Sequence, residues 1–200
     1  MKKALFLLGF CISLSANNLQ LVGVLKDNNK LDIFSMTNLK SSCDDGSYLF
    51  CKDLADIYIL QKDYQKAEKF YTKACNGNFI DACYNLAMMY LNAYGVNQDY
   101  QKSRQLYTKA CEKNHPNSCF YLGTMYLYEL GVKKDYQKAK ELFSKACDLN
   151  NVNACFDLGL LYYKEKPQNL TLSKQLFKKA CDLGDKESCH NYEQFIKNNL

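Results

Sequence analysis

The strongest constraint on the fold is a pair of cysteines with seven residues between them, which recurs five times along the chain. The second cysteines of successive pairs lie 32, 36, 36 and 34 residues apart. A repeat of this length is typical of two helices per unit, stacked so that each hairpin buries its apolar face only against its neighbours. The sequence therefore predicts an all-α solenoid of antiparallel helix pairs.

Each repeat contains two helical patterns, which we call helix A and helix B. Helix A begins near the second cysteine of a pair and places Cys119, Leu122, Gly123 and Tyr126, and their counterparts in the other repeats, on one face. A small residue on this face lets another backbone approach closely. Helix A is therefore predicted to be packed along this face.

Helix B ends at the first cysteine of the next pair and carries signals at both ends. Its predicted N-caps are Asp63, Asp99, Asp135 and Asn169. Three residues after the first cysteines stand residues that tolerate a left-handed conformation, namely Gly46, Asn78, Asn114, Asn150 and Gly184. Lysines two residues before these cysteines are predicted to favour the dipole at the end of their own helix: Lys73, Lys109, Lys145 and Lys179.

Residues 1–16 have the pattern of a secretory signal peptide. Lys2 and Lys3 precede an apolar run, which is followed by small residues suited to cleavage near Ser15 and Ala16. The run is too short to span a bilayer comfortably. The alternative of a lipid anchor at Cys11 conflicts with the bulky Phe10 before it. We therefore expect a secreted or periplasmic protein with no membrane span in the mature chain.

Removal of the signal peptide leaves an even number of cysteines and lowers the formal net charge from +5 to +3. An even count in an exported chain is what a disulfide framework requires. The charge is too small to indicate nucleic-acid binding.

The expected organisation is an N-terminal extension at 17–27 and a solenoid at 28–195. The solenoid comprises a B-helix cap at 28–43, four units at 47–78, 79–114, 115–150 and 151–184, and a terminal cap helix at 185–198.

The repeated segments Cys-x2-Leu-Gly-x2-Tyr, Gly-Val-x2-Asp-Tyr-x-Lys-Ala and Lys-Ala-Cys resemble the Sel1-like repeat, a relative of the tetratricopeptide repeat. The Cys-x7-Cys junctions are similar to those of its secreted branch, the Helicobacter cysteine-rich proteins. The resemblance covers residues 28–195 and implies a right-handed superhelix whose concave groove is lined largely by A helices. It also implies five disulfides within the junctions: Cys43–Cys51, Cys75–Cys83, Cys111–Cys119, Cys147–Cys155 and Cys181–Cys189. Zinc is the competing explanation for the cysteines, but there is no Cys-x2-Cys, and His115 and His190 do not repeat. We expect no metal site and no cofactor.

Members of this branch are often described as penicillin-binding proteins or weak β-lactamases, so the resemblance implies β-lactam hydrolysis as an alternative function. Serine β-lactam enzymes need a lysine three residues after the nucleophile, and no serine in this chain has one. Asp53 and Asp56 share a helix face, but nothing in the sequence predicts a perturbed pKa, so we interpret them as solvated surface acids. Whether the chain is an enzyme stays open, and no catalytic residue is predicted.

The variable positions of helix A are the candidates for ligand contact. These are positions one, two, five and nine after the second cysteine, and together we call them the A face. The predicted groove residues are Asp53, Asp56, Tyr84, Asn85, Met88, Asn92, Tyr121, Thr124, Tyr128, Asp157, Leu160 and Lys164.

Tyrosine, asparagine and methionine on the A face suit a peptide ligand, because aromatic rings supply contact area and amides bond an extended backbone. The hypothesis is an exported scaffold that binds a peptide or protein; cell-wall peptide or β-lactam is the alternative ligand. A solvated or repeat-packing surface also remains open, and repeat packing is favoured for Phe120 and Phe156 at position one.

Overall fold

The structure, a computed structural model, describes residues 33–165 and 169–197, and all regular secondary structure in these two ranges is helical. The ten helices there are α1 (Ile33–Asp44), α2 (Tyr48–Leu60), α3 (Tyr64–Asn76), α4 (Ile80–Asn92), α5 (Tyr100–Glu112), α6 (Pro116–Tyr128), α7 (Tyr136–Asp148), α8 (Val152–Lys164), α9 (Leu170–Asp182) and α10 (Lys186–Lys197). The predicted signal peptide, the extension at 17–27, the start of the first predicted helix at 28–32 and residue 198 lie outside the described residues.

The helices form a solenoid in which each one packs most extensively against its predecessor and its successor in the chain. Helices α2, α4, α6 and α8 are the A helices of units one to four, and α3, α5, α7 and α9 are the B helices. Helix α1 precedes this series and α10 follows it. The prediction of an all-α solenoid of helix pairs is confirmed. No helix in the described ranges is long and apolar enough to cross a membrane.

The predicted helix ends are present at both sides of helix B. The side chains of Asp63, Asp99 and Asp135 accept hydrogen bonds from the main-chain N–H three residues later, and so does Asn169. The residues three positions after the first cysteines all have positive φ, from 60° at Asn114 to 102° at Gly184. Both signals depend on a few adjacent residues, which is why the sequence predicted them correctly.

Five disulfides connect the end of one helix to the start of the next, in the pairing that the resemblance implied. The Cα atoms of the paired cysteines lie 4.5–4.8 Å apart. Closing so short a loop stabilises the folded state by about 2 to 3 kcal/mol per bridge on the chain-entropy model. A thin solenoid with no large central core gains from such local clips.

An aromatic side chain of each B helix packs against the A helix of its own unit. A Cβ atom placed on Gly123 would lie 2.8 Å from the Phe143 ring, and one on Gly159 would lie 3.1 Å from the Phe177 ring. The small residue of the A helix is therefore needed for close approach of the B helix. The equivalent B-helix side chains in units one and two are Tyr71 and Tyr107, both fully buried.

The lysines near the end of helix B interact with the preceding unit rather than with their own helix. Lys109 Nζ donates to the Cys75 carbonyl and Lys145 Nζ to the Cys111 carbonyl, each over 2.7 Å. Lys73 and Lys179 reach the aspartates that follow the first cysteine of the unit before. Each lysine lies in the last turn of its own helix, as predicted, and its Nζ atom reaches the C-terminal end of the neighbouring helix, so the lysines also connect consecutive units.

Candidate binding face on the A helices

The predicted groove residues fall into three environments. Asp53, Asp56, Asn85 and Met88 are buried, while Tyr128 and Lys164 are exposed. The remainder are partly buried: Tyr84, Asn92, Tyr121, Thr124, Asp157 and Leu160. The A face is thus buried at positions one, two and five of unit one, whereas units two to four each have partly buried or exposed side chains on it.

A charged cluster occupies the A face of unit one. Lys52 Nζ lies 2.6 Å from Asp56 Oδ2 and 4.0 Å from Asp53 Oδ1. The Tyr71 hydroxyl of helix α3 donates to the Asp56 carboxylate, and Asn85 of unit two also hydrogen-bonds that hydroxyl. Burial and the neighbouring Asp56 carboxylate raise the pKa of Tyr71 well above its usual value.

The interpretation of Asp53 and Asp56 as solvated surface acids was wrong. Their exposed fractions are 6% and 3%, and that of Lys52 is 5%. Position one after the cysteine holds a lysine only in this unit, and its side chain supplies the cation that two buried carboxylates require. Lys52 and the two aspartates are buried because helix α3, which carries Tyr71, packs on this face of helix α2.

Three tyrosines gather between the A helices of units two and three. The rings of Tyr107 and Tyr121 stack with centroids 5.6 Å apart, and Tyr84 lies 6.1 Å from Tyr107 and 5.9 Å from Tyr121. The structure therefore brings together two predicted groove residues from successive A helices around a B-helix residue that we had assigned only to packing. We call Tyr84, Tyr107 and Tyr121 the tyrosine cluster.

The hydroxyl of Tyr107 is buried and has no hydrogen-bond partner among the described residues. Burial, with the adjacent Tyr84 and Tyr121, raises the pKa of Tyr107 well above its usual value, so the hydroxyl keeps its proton and can donate. Leaving such a group unsatisfied costs about 1 to 3 kcal/mol. Sequence comparison of the four units contained a signal for this residue, since its equivalents in units three and four are Phe143 and Phe177.

His115 lies at the edge of the tyrosine cluster, with its ring 4.9 Å from that of Tyr84. Its Nδ1 atom accepts from the Ser118 N–H and lies 2.9 Å from Ser118 Oγ, and its Nε2 atom is 3.5 Å from Asp81 Oδ1. Burial lowers the pKa of His115, and Asp81 opposes this. The ring is therefore neutral near pH 7.

Asp81, His115 and Ser118 have the residue types of a hydrolytic triad, but their geometry is that of a helix cap. The Ser118 side chain is fully buried, and the equivalent positions before the second cysteine are Ala82 and Ala154. A nucleophile must reach its substrate, and Ser118 occupies a packing position for a small residue. The arrangement positions the start of helix α6.

Position one of the A face carries a phenyl ring in units three and four. Phe120 packs on Phe143 with centroids 5.6 Å apart, and Phe156 packs on Phe177 at 5.7 Å. The interpretation of Phe120 and Phe156 as repeat packing is confirmed. Position one therefore contacts the B-helix aromatic in units two to four, and only the polarity of the pair changes along the solenoid.

The other predicted groove residues are dispersed. Thr124 Oγ1 and Asn92 Nδ2 each donate to the main-chain carbonyl four residues earlier in their own helix. Tyr128 is 63% exposed at the end of helix α6. Asp157 is partly buried, and burial raises its pKa to about 6 while Lys164 lowers it.

An open polar cleft that the sequence did not predict lies beside the turn at residues 95–99. The Tyr90 hydroxyl there donates to Glu68, and Lys102 Nζ lies 4.8 Å above the Tyr90 ring. Lys102 Nζ also lies 3.9 Å from Asp99 Oδ2, so the cleft contains two polar pairs, Tyr90–Glu68 and Lys102–Asp99. In the described ranges no group of three or more histidine, cysteine, aspartate or glutamate side chains is placed to hold a metal ion.

Comparison with known families agrees with the repeat pattern. Residues 80–115, 116–151 and 152–185, which together make up more than half of the chain, match the family model of the Sel1 repeat. Residues 53–76 match a tetratricopeptide repeat model. The comparison with curated proteins finds no match.

Solved structures include a related cysteine-rich protein. Helicobacter pylori cysteine rich protein B is 36% identical over 64% of this chain and 93% of that chain, with a TM-score of 0.51. A protective antigen of uropathogenic Escherichia coli strains, c5321, is 21% identical and has a TM-score of 0.76, with 90% of this chain and 40% of that chain covered. The present chain thus spans less than half of that antigen. A Sel1 repeat protein from Oxalobacter formigenes is 22% identical over 80% of this chain and 74% of that chain, with a TM-score of 0.66. These matches and the five junction disulfides lead to one assignment: the chain belongs to the Sel1 repeat family.

Proposed function

We propose that this protein is an exported, disulfide-stapled scaffold that binds a peptide or protein segment on the A face, at the tyrosine cluster. The observation that carries the proposal is the buried Tyr107 hydroxyl, which has no hydrogen-bond partner among the described residues. Phenylalanine occupies the same position in units three and four, so the fold accommodates a ring that lacks the hydroxyl. A polar group that costs stability and is not needed for packing is a good candidate for ligand contact.

The surroundings of Tyr107 suit a protein ligand. Tyr84 and Tyr121 are partly exposed, and they offer rigid aromatic surface at a small cost in side-chain entropy. Tyr128 extends the aromatic surface at the exposed end of the same helix as Tyr121. The A face would then receive its ligand across units two and three.

Export is supported by the disulfides. Five bridges persist only in an oxidising environment, so they fit an extracellular or periplasmic protein. Cleavage of a signal peptide near Ser15 and Ala16 and the predicted unit boundaries are parts of the same proposal. Mass spectrometry of the mature protein measures where its first residue lies.

The binding test compares variants of the oxidised protein in crosslinking from periplasmic and medium fractions. We expect a partner to be captured by the wild type and by Tyr163→Ala, which removes a ring that is 43% exposed outside the cluster. The double variant Tyr84→Ala/Tyr121→Ala should lose that partner while keeping its far-UV helicity. Equal capture by the double variant would rule out this face as the binding site.

β-Lactam hydrolysis is the alternative, and Asp81, His115 and Ser118 are the residues that could carry it. The burial of Ser118 argues against this role. We expect the wild-type protein to hydrolyse a chromogenic cephalosporin no faster than the Ser118→Ala variant does. Turnover that Ser118→Ala abolishes, in a variant that stays folded, would favour the hydrolase over the scaffold.

A further inference from the structure

We infer that the ligand places an uncharged hydrogen-bond acceptor, a peptide carbonyl, against the hydroxyl of Tyr107. The inference rests on the proposed function and specifies the chemistry that the A face recognises. It comes from a comparison of units one and two, which carry tyrosine at the same B-helix position but surround it with different side chains.

Unit one shows what a buried tyrosine at this position bonds when the chain itself supplies an acceptor. Tyr71 donates to Asp56, which stands five residues after Cys51. The residue five after Cys83 in unit two is Met88, which is 3% exposed and belongs to the same buried cluster as Tyr107, and its thioether is at best a weak acceptor. The hydroxyl of Tyr107 accordingly has no partner among the described side chains and main-chain groups. A ligand acceptor would take the role that Asp56 has in unit one.

The charges around the two sites decide between a carboxylate and a neutral acceptor. The Asp56 carboxylate is compensated by Lys52 Nζ at 2.6 Å. Tyr84 stands at the position of Lys52 in unit two, so a ligand carboxylate would be buried there without this cation, which is costly. The titratable groups at the edge of the cluster are His115 and Asp81, and an acidic Asp81 would repel a second carboxylate. A main-chain carbonyl accepts the hydrogen bond and brings no net charge.

The side chains that cover Tyr107 can open to admit such a group. Tyr84 and Tyr121 are partly exposed and lie on different A helices, whereas Tyr107 is fully buried, so a ligand reaches the Tyr107 hydroxyl only when one of the two partly exposed rings rotates. Met88 has three rotatable bonds and adapts readily to a new neighbour. An extended segment entering here would stack its side chain on tyrosine rings while one carbonyl reaches the hydroxyl.

The test uses an array of 15-residue peptides of varied sequence as the probe, followed by calorimetry with the tightest-binding peptide. We expect Tyr107→Phe to bind that peptide roughly three- to tenfold more weakly, the effect of one neutral hydrogen bond. Tyr163→Phe, which also removes a tyrosine hydroxyl, should bind as the wild type does. Met88→Gln places an amide oxygen at the position from which Asp56 accepts from Tyr71 in unit one, and should also weaken binding. Circular dichroism checks that each variant is folded.

Ester substitution along the peptide identifies the carbonyl. An ester carbonyl is a weaker acceptor than an amide carbonyl. The peptide with the ester at the contacting position should therefore bind the wild type more weakly than the unmodified peptide does, but should bind Tyr107→Phe with unchanged affinity. The four affinities form a double-mutant cycle. If a peptide binds and depends on Tyr84 but Tyr107→Phe binds it equally well, the inference is overturned and the proposed function stands. If no peptide in the array binds the wild type, or binding is independent of Tyr84, both are overturned.

Discussion

Replacing Tyr107 and Tyr71 separately by phenylalanine tests the description of the two tyrosines without any ligand. Both are fully buried at equivalent positions of successive B helices. The hydroxyl of Tyr71 donates to a buried carboxylate, and that of Tyr107 has no partner among the described residues. The same chemical change should therefore alter the free energy of unfolding in opposite directions.

The magnitudes follow from what each substitution removes. Tyr107→Phe removes an unsatisfied hydroxyl and should stabilise the protein by about 1 to 3 kcal/mol, the desolvation cost of such a group. Tyr71→Phe removes a hydrogen bond to a charged acceptor and leaves Asp56 with one partner fewer, which should destabilise the protein by about 1.5 to 3 kcal/mol. The two variants should differ by several kcal/mol.

Urea unfolding of the oxidised protein, followed by circular dichroism and by tyrosine fluorescence, measures both values. Coincidence of the two transitions shows whether a single free energy describes the repeat array. Phe143→Tyr is the reverse change in unit three and should destabilise by an amount similar to the gain from Tyr107→Phe. If Tyr107→Phe is destabilised as much as Tyr71→Phe, the hydroxyl has a partner and the binding proposal loses its basis.

Three further predictions concern other parts of the A face. Lys52→Met leaves Asp56 buried without its cation and should lower the free energy of unfolding by about 3 to 5 kcal/mol, measured in urea. The pKa of Asp157 is raised to about 6 from an ordinary 3.8, so the folded state holds its proton more tightly. Stability should therefore fall as pH rises from about 4 to 6, and Asp157→Asn should flatten this part of the thermal-melting profile. Gly123→Ala places a Cβ atom 2.8 Å from the buried Phe143 ring and should cost about 1 to 3 kcal/mol.

Each of these has a matched control. Lys178→Met removes the cation of an exposed i,i+4 pair with the same 2.6 Å separation and should leave the free energy of unfolding nearly unchanged; a loss equal to that of Lys52→Met would contradict the explanation from burial. Asp182→Asn changes an exposed acid and should leave the pH profile unchanged, whereas an equal effect would show that Asp157 is not responsible. Gly159→Ala has a longer contact of 3.1 Å and should cost less than Gly123→Ala. The reverse order would refute the steric argument.

The sequence predicted the parts of the fold that depend on neighbouring residues. The caps at Asp135 and Asn150 are each set within a few positions and are present, and so is the Cys147–Cys155 bridge that the family resemblance implied. Lys145 was placed correctly in the last turn of its own helix. Spacing within one repeat could not show that its Nζ atom donates to the Cys111 carbonyl of the preceding unit. Interactions between units require knowledge of how the units stack.

The A face was predicted less well, for a related reason. Asp56, like Asp53, was interpreted as a surface acid without regard to its partners. Its burial depends on Lys52 one turn earlier and on Tyr71 from the next helix, which the sequence pattern of helix A does not show. The difference between Tyr107 and Phe143 was visible in the sequence, but it becomes informative only when position five of helix A is known to face it. The effect of a buried hydroxyl on stability depends on its hydrogen-bond partner, and for Tyr71 that partner, Asp56, lies on another helix.

The polarity of the A face changes along the solenoid in a way that repeat packing alone does not require. Units three and four fill it with Phe143 and Phe177, which shows that phenyl pairs satisfy the packing. Units one and two bury charges and hydroxyls at the same positions, and each of these lowers stability unless it is fully bonded. The junction disulfides, at about 2 to 3 kcal/mol each, offset costs of this size and do not depend on the A face. The Cys-x7-Cys framework can therefore support the polar side chains of units one and two, and under the proposed function Tyr107, which has no hydrogen-bond partner among the described residues, is the group that a ligand would bond.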